Sequence, residues 1–333
     1  NMNEVTSDSV ISYLEIIINT EYNNVNDDDT LNRLYYRGES CKNMYRVPSL
    51  YLQKNLALYG SETYYRLLLS ELGEDDYEEN ATLFRLISKC QHHGAKTRIL
   101  DISTNPLVAF FFATEENDDK DGFVYIYQGN MENTKFDTGH TVAIKSALNL
   151  LPQDVINKFM KVCSNSIYND KESSKYIDKE TDYFVTHKKC NGLNNDDRAS
   201  IRKLMDLLNQ RARTREELKY LLRIYKDLTT SHIVIPGKTT NRIRQQQGAF
   251  IFPCYLDSSL QKENDAEEVK LFNIQKALDE SISKLSLKNG EQSIVIKVPN
   301  NSKKKIRKEL NKLGINRAFI YPGIESQSRA ILD

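Results

Sequence analysis

What this 333-residue sequence lacks narrows its chemistry before any motif is considered. It has no excess of either charge, since 46 lysines and arginines face 46 aspartates and glutamates. A protein that coats nucleic acid by bulk charge carries a net positive field, so the balance argues against that class while leaving room for a local basic patch. It lacks close cysteine pairs: Cys41, Cys90, Cys163, Cys190 and Cys254 are scattered and odd in number. Disulfide frameworks and structural zinc sites show close, repeated spacing, so reduced and mostly buried thiols are expected. No apolar run reaches the ~18 residues of a membrane span. The most apolar early stretch, 10–18, is interrupted by Ser12, Tyr13 and Glu15 and has neither a basic leader nor a small-residue cleavage site, so no signal peptide is expected. A soluble, cytoplasmic protein with no membrane contact is the expectation. There is no internal repeat, no Pro/Gly-rich linker, no GxxxxGK[ST], no GxGxxG and no GxSxG.

What remains is a chain whose hydrophobic share, 39%, suffices for a core at this length. Apolar spacing predicts a helix over 8–20, capped by Ser7 or Asp8. Residues 34–38 read as a short strand ending at Gly38, because aromatics suit a pleated surface and glycine permits a tight turn. Helices are predicted over 51–72 and 78–88, a second strand over 98–103, and a helix over 107–113. That last helix follows Pro106 and is apolar on nearly all sides, so it should be buried. Residues 122–127 have the content of a central strand. Residues 147–228 are charged and glycine-poor, with helices predicted over 197–208 and 214–228. Strand signals return at 232–235, 249–252 and 293–298. A basic helix over 301–313 ends at Gly314, and 317–321 reads as a last strand. Strands on both sides of the helical region predict an α+β fold: one mixed domain over 1–333, with short strands around a ligand cleft and 147–228 as a helical insertion.

Four polar constellations stand out. Arg37 at a strand end can make a bidentate contact with phosphate or carboxylate, or an ion pair with Glu39 or Asp101. Gln91-His92-His93-Gly94 is followed by Arg98 and Asp101. Adjacent histidines diverge in either regular structure and no HExxH or cysteine cluster accompanies them, so no metal is expected. Arg242 and Gln247 precede Gly248 and an apolar strand, a common position for binding groups. Glu325 follows a Pro-Gly turn, where it either joins the other strand ends or caps a helix start. The basic runs 303–308 and 211–215 read as solvated helix faces.

Together these segments resemble the FRG-domain family. The resemblance rests on Tyr36-Arg37-Gly38, on 91–101 (QHHGAKTRILD), on 103–113 (STNPLVAFFFA), on 241–250 (NRIRQQQGAF) and on 319–325 (FIYPGIE). It spans about 30–330 and is silent over the helical region. Tyr36 stands for phenylalanine in the name-giving triplet, and Ile102 stands where an aromatic is expected. A weaker resemblance is to ADP-ribosyltransferases, many of which carry Tyr-Arg-Gly or Tyr-His-Gly on a strand at the NAD site. That resemblance implies NAD as co-substrate, held by Tyr36, Arg37, Gly38, Arg98, Asp101, Ser103, Thr104, Arg242 and Gln247. It implies Arg37 and Glu325 as catalytic groups, and displacement of nicotinamide through an oxocarbenium-like state with no metal. The Glu-x-Glu pair of the arginine-specific enzymes is absent around Glu325.

Three functions follow as expectations. The first is an NAD-consuming, ADP-ribosyltransferase-like enzyme acting as a toxin or antiphage effector, with a protein or nucleic-acid acceptor and a regulatory protein partner. The second is a hydrolase or nuclease using His92 or His93 as general acid or base, with Arg37 and Arg98 on phosphate. The third is a non-enzymatic module that senses a nucleotide-like ligand. Arg37, His92 or His93, Arg98 and Asp101 are expected to converge on one cleft, with Asp101 orienting Arg98 or a histidine.

Overall fold

A computed structural model describes residues 2–25, 29–72, 81–167, 173–186, 193–238, 240–256, 264–323 and 328. The fold is α+β. Among the described residues nine strands form one mixed sheet: β1 Met2–Thr6, β2 Leu34–Glu39, β3 Leu100–Ser103, β4 Gly122–Gln128, β5 Thr134–Phe136, β6 His232–Ile235, β7 Gly248–Phe252, β8 Lys288–Asn289 and β9 Gln292–Val298. Their order is β1-β9-β4-β2-β3-β7-β6-β5, with β8 paired to β9. The β1–β9 and β5–β6 pairs are parallel and the others antiparallel. Among the described residues no helix is long and apolar enough to cross a membrane.

Strand alternation sorts the side chains onto two faces. On one face Leu34, Tyr36, Val124 and Ile126 pack against the Val10–Asn24, Pro106–Thr114 and Lys303–Lys312 helices. Farther along that face Phe250 and Val234 meet Phe84 and Ile87 of the Leu83–His92 helix. On the opposite face Tyr35, Tyr125, Tyr127, Leu100 and Ile102 are covered by Ile282, from the Glu267–Ser283 helix, and by Leu285. Because both faces are covered, β4 is buried at all but its last residue and shows no polar alternation.

The Pro106–Thr114 helix is buried as expected, and its start has a clear cause. Asn105 caps it by accepting from the Leu107 N–H (3.0 Å), and Pro106 occupies the first turn. The helix lies directly on β2 and β4. A Cβ at Gly38 would sit 1.8 Å from the Ala109 carbonyl oxygen, and one at Gly122 would sit 2.0 Å from that of Ala113.

Among the described residues of 147–228 there is no strand. Its helices build a separate apolar cluster that includes Phe159, Ile201, Leu204, Leu208 and Leu222. Lys145, 2% exposed, ties its base to the sheet. The ammonium donates to the carbonyls of Thr230 (2.5 Å), Phe252 (3.0 Å) and Pro253 (3.1 Å).

Several local expectations are corrected. The first helix is capped by Ser9, which accepts from the Ser12 N–H, and not by Ser7 or Asp8. The 51–72 helix is broken at Gly60, at φ +96°, into Lys54–Tyr59 and Glu62–Ser70. The next helix runs Leu83–His92, while 78–80 lie outside the described residues. The helix expected over 214–228 starts only at Leu221, because Arg213 adopts φ +54° and Asn209 clasps the Leu218 backbone through N–H (2.7 Å) and C=O (3.0 Å). Residues 317–320 form a helical turn, Arg317–Ile320, whose cap Asn316 accepts from the Phe319 N–H (3.0 Å), and not a strand.

Candidate functional site

Between β2 and β3 only Tyr36 and Ser103 stand in register. Beyond them Arg37 holds the two strands together. Its Nε donates to Glu39 Oε1 (2.8 Å) and its Nη1 to the Asp101 carbonyl (2.8 Å). Among the described residues its Nη2 has no partner, and the side chain is 23% exposed. Alternation places Arg37 on the face of Tyr35, whereas the Asp101 and Ser103 side chains share the face of Tyr36. Arg37 therefore reaches Asp101 at its backbone and not at its carboxylate.

The exposed Asp101 carboxylate accepts from Gln91 Nε2 (2.7 Å), and Gln91 in turn accepts from the Thr97 hydroxyl. Neither Arg98 nor a histidine hydrogen-bonds to that carboxylate, which corrects its expected orienting role. His92 ends its helix half-buried, with Nε2 3.5 Å from Thr240 Oγ1. Burial pushes its pKa below the ordinary histidine value; nearby Arg242 lowers it further and Asp101 opposes. Its imidazole is thereby biased toward the neutral form. His93 is the exposed cap residue of the same helix.

Three candidates stand inside the structure instead. Tyr36 is fully buried and donates to Glu21 Oε1 (2.7 Å). Gly38 lies beneath the Ala109 backbone. Arg98, 5% exposed, donates to Tyr51 Oη (2.8 Å), Asn149 Oδ1 (3.1 Å) and Ser61 Oγ (3.3 Å). The expected convergence of Arg37, a histidine, Arg98 and Asp101 is thus not what the fold produces. Arg98 points into the core and Arg37 lies across the sheet from His92.

The segment after β3 is coupled to the turn before β7. The Ser103 hydroxyl donates to the Gln246 carbonyl (2.5 Å), and Thr104 donates to the Gln247 carbonyl through N–H (3.1 Å) and Oγ1 (3.3 Å). Gln247 holds φ +45°, a left-handed conformation that disfavours side-chain-bearing residues. Arg242, in the short Asn241–Gln245 helix, lies over the Tyr321 ring at 5.2 Å. Tyr321 donates to Glu115 Oε2 (2.9 Å), and Arg317 pairs with Glu115 Oε1 (3.1 Å). Burial raises the Glu115 pKa, against the pull of Tyr321 and Arg317. Sequence reasoning missed Glu115 and the grouping around Tyr321. The available signal was the Glu115-Glu116 pair placed directly after an apolar helix. Glu325 lies outside the described residues.

His92, Asp101, Thr104, Arg242 and Gln247 thus make a polar patch around the end of β3, with Arg37 on the reverse of the same strand pair. It can position an anionic ligand and offers an imidazole biased toward the neutral form for proton transfer. Among the described residues no group of three or more histidine, cysteine or carboxylate side chains is placed to hold a metal. A separate cavity of 1260 Å³, lined by Lys135, His140, Asp227 and His232 among others, includes none of the patch residues.

Residues 32–122 match the family model of the FRG domain. The match takes in β2, the Leu83–His92 helix, β3 and the Pro106–Thr114 helix. Its two strands are flanked in the sheet by β4 and β7, which lie almost wholly or wholly beyond it. The familial-looking segments 241–250 and 319–325 also fall outside the match. No curated protein and no solved structure matches the chain.

Proposed function

We propose that this FRG-domain chain is an NAD-consuming enzyme of ADP-ribosyltransferase type, working at the β2–β3 junction as a toxin or antiphage effector. The observation that supports the reading best is the single register pair Tyr36–Ser103. It sets the Tyr-Arg-Gly strand directly beside Ser103-Thr104, the adjacency such chemistry uses to hold the two sides of the dinucleotide. Among the described residues Arg37 Nη2 has no partner and is available to an anionic group, and cleavage requires stabilisation of positive charge developing at the ribose. The acceptor is a protein or a nucleic acid, and a regulatory protein partner restrains the activity.

Incubating the full chain with NAD and quantifying free nicotinamide tests this. Release above a heat-inactivated control supports it, and NAD recovered intact overturns it. A second reading has one observation in its favour, the half-buried His92 with Nε2 3.5 Å from Thr240 Oγ1, its pKa lowered by burial and by Arg242. In that reading His92 is the general base of a phosphate-directed hydrolase. Cleavage of nucleic acid or a phosphodiester, lost in His92→Ala and without nicotinamide release, would select it.

A further inference from the structure

Two guanidinium groups lie over the ring of Tyr321, and they differ in their charge balance. Arg317 sits at 5.4 Å from the ring centroid and is matched by Glu115, with which it forms an ion pair at 3.1 Å. Arg242 sits at 5.2 Å and makes no ion pair and no hydrogen bond among the described residues, although its charge reaches Glu115. Its Nε is fully buried and unpartnered. The ring itself is fixed, because the Tyr321 hydroxyl donates to Glu115 at 2.9 Å. Gln246, in the turn after the Arg242 helix, donates to the Ile320 carbonyl at 3.0 Å and locks that helix to the Tyr321 segment.

An exposed arginine normally loses rotamer freedom when it binds. Here the cation–π contact with a fixed ring restrains the guanidinium beforehand, leaving a partly preorganised set of donors. Planar, bidentate donors match the geometry of phosphate oxygens. Asp101, the one acid of the patch, is engaged by Gln91 at 2.7 Å, and Thr240 and His92 supply donors or acceptors nearby.

We infer that Arg242, seated on Tyr321 and braced by Glu115, is the anchor for the phosphate or diphosphate group of the ligand. This rests on the NAD reading only for the identity of the rest of that ligand. Arg317 and Glu115 are positioning residues that act through the ring.

The test is titration calorimetry of the full chain with inorganic phosphate, inorganic pyrophosphate and ADP-ribose. Pyrophosphate and ADP-ribose should both bind. Arg242→Gln should weaken both by roughly tenfold or more, as should Arg242→Lys, which keeps the charge but loses the planar fork. Arg244→Gln removes the same charge two residues away, from an exposed side chain that donates to the Lys238 carbonyl (2.8 Å), and should change affinity less than about twofold. Tyr321→Phe keeps the platform and should cost less than Tyr321→Leu. A wild type that binds none of the three anions overturns the anchor, as does an Arg242→Gln protein of wild-type affinity. If Arg242→Gln does not fold, Arg242→Lys carries the comparison. Pyrophosphate binding without nicotinamide release from NAD overturns the proposed activity and leaves the anchor standing. Nicotinamide release with a KM unchanged in Arg242→Gln does the reverse.

Discussion

Gly38 lies against the backbone of Ala109, close enough that a Cβ on Gly38 would stand 1.8 Å from the Ala109 carbonyl oxygen and 2.7 Å from the Ala113 nitrogen. The glycine of the Tyr-Arg-Gly triplet therefore sets how closely a buried helix sits on the sheet. Gly38→Ala must push that helix away, and we expect a loss of about 1–3 kcal/mol, the range for overpacking a core. Urea unfolding of the variant checks this. A midpoint equal to wild type would remove the packing role.

Arg98 is the second residue whose place in the fold decides the expected phenotype. Its three neutral acceptors, Tyr51, Asn149 and Ser61, lie in the core. Arg98→Met leaves these groups without their donor, and each lost bond to a buried charged group is worth about 1.5–3 kcal/mol. The variant should lose thermal stability strongly. Ligand binding lost at an unchanged melting temperature would instead return Arg98 to the site.

These two residues mark how far the sequence could be read. The inner strands were legible because aromatic and β-branched runs leave few alternatives, and so was the buried helix after Pro106. Edge strand β1 was not, since its polar sequence becomes a strand only by pairing with β9, almost the whole chain away. Residues 317–321 form too short an apolar run for periodicity to separate strand from helical turn, and the Asn316 cap decided it. The site blocks were legible as sequence, yet their side-chain directions were not. Arg98 precedes β3 and points to Tyr51 and Asn149, while Asp101 within β3 points to Gln91, a divergence set by distant partners.

His232 gives the stability a pH dependence. It is 3% exposed, its Nδ1 lacks a partner, and burial, with Lys145 and Lys135 adding, pushes its pKa down to about 2. The unfolded chain takes up a proton near the ordinary value of ~6.5 while the folded chain does not, so stability falls as pH drops below that value. The slope from one such group approaches about 1.4 kcal/mol per pH unit. Urea midpoints at pH 7, 6 and 5 should show this decline in wild type and a shallower one in His232→Leu. Parallel declines would exclude His232 as its source.

His92 reports on the patch itself. Burial lowers its pKa first and Arg242 adds to the effect. In Arg242→Gln the imidazole should titrate at higher pH than in wild type, as read from its ring protons by NMR. An unchanged midpoint would mean that Arg242 does not act on His92.

The most direct measurement is the rate of nicotinamide release from NAD by wild type and by Arg37→Gln, with melting temperatures recorded on the same samples. Arg37 joins β2 to the Asp101 carbonyl, and among the described residues its Nη2 has no partner, on the sheet face opposite the Ser103 side chain. Wild type should release nicotinamide and Arg37→Gln should do so at least roughly tenfold more slowly, equivalent to about 1.4 kcal/mol of barrier. The variant must remain folded at the assay temperature. No release by wild type, or an equal rate from a folded Arg37→Gln protein, would contradict it.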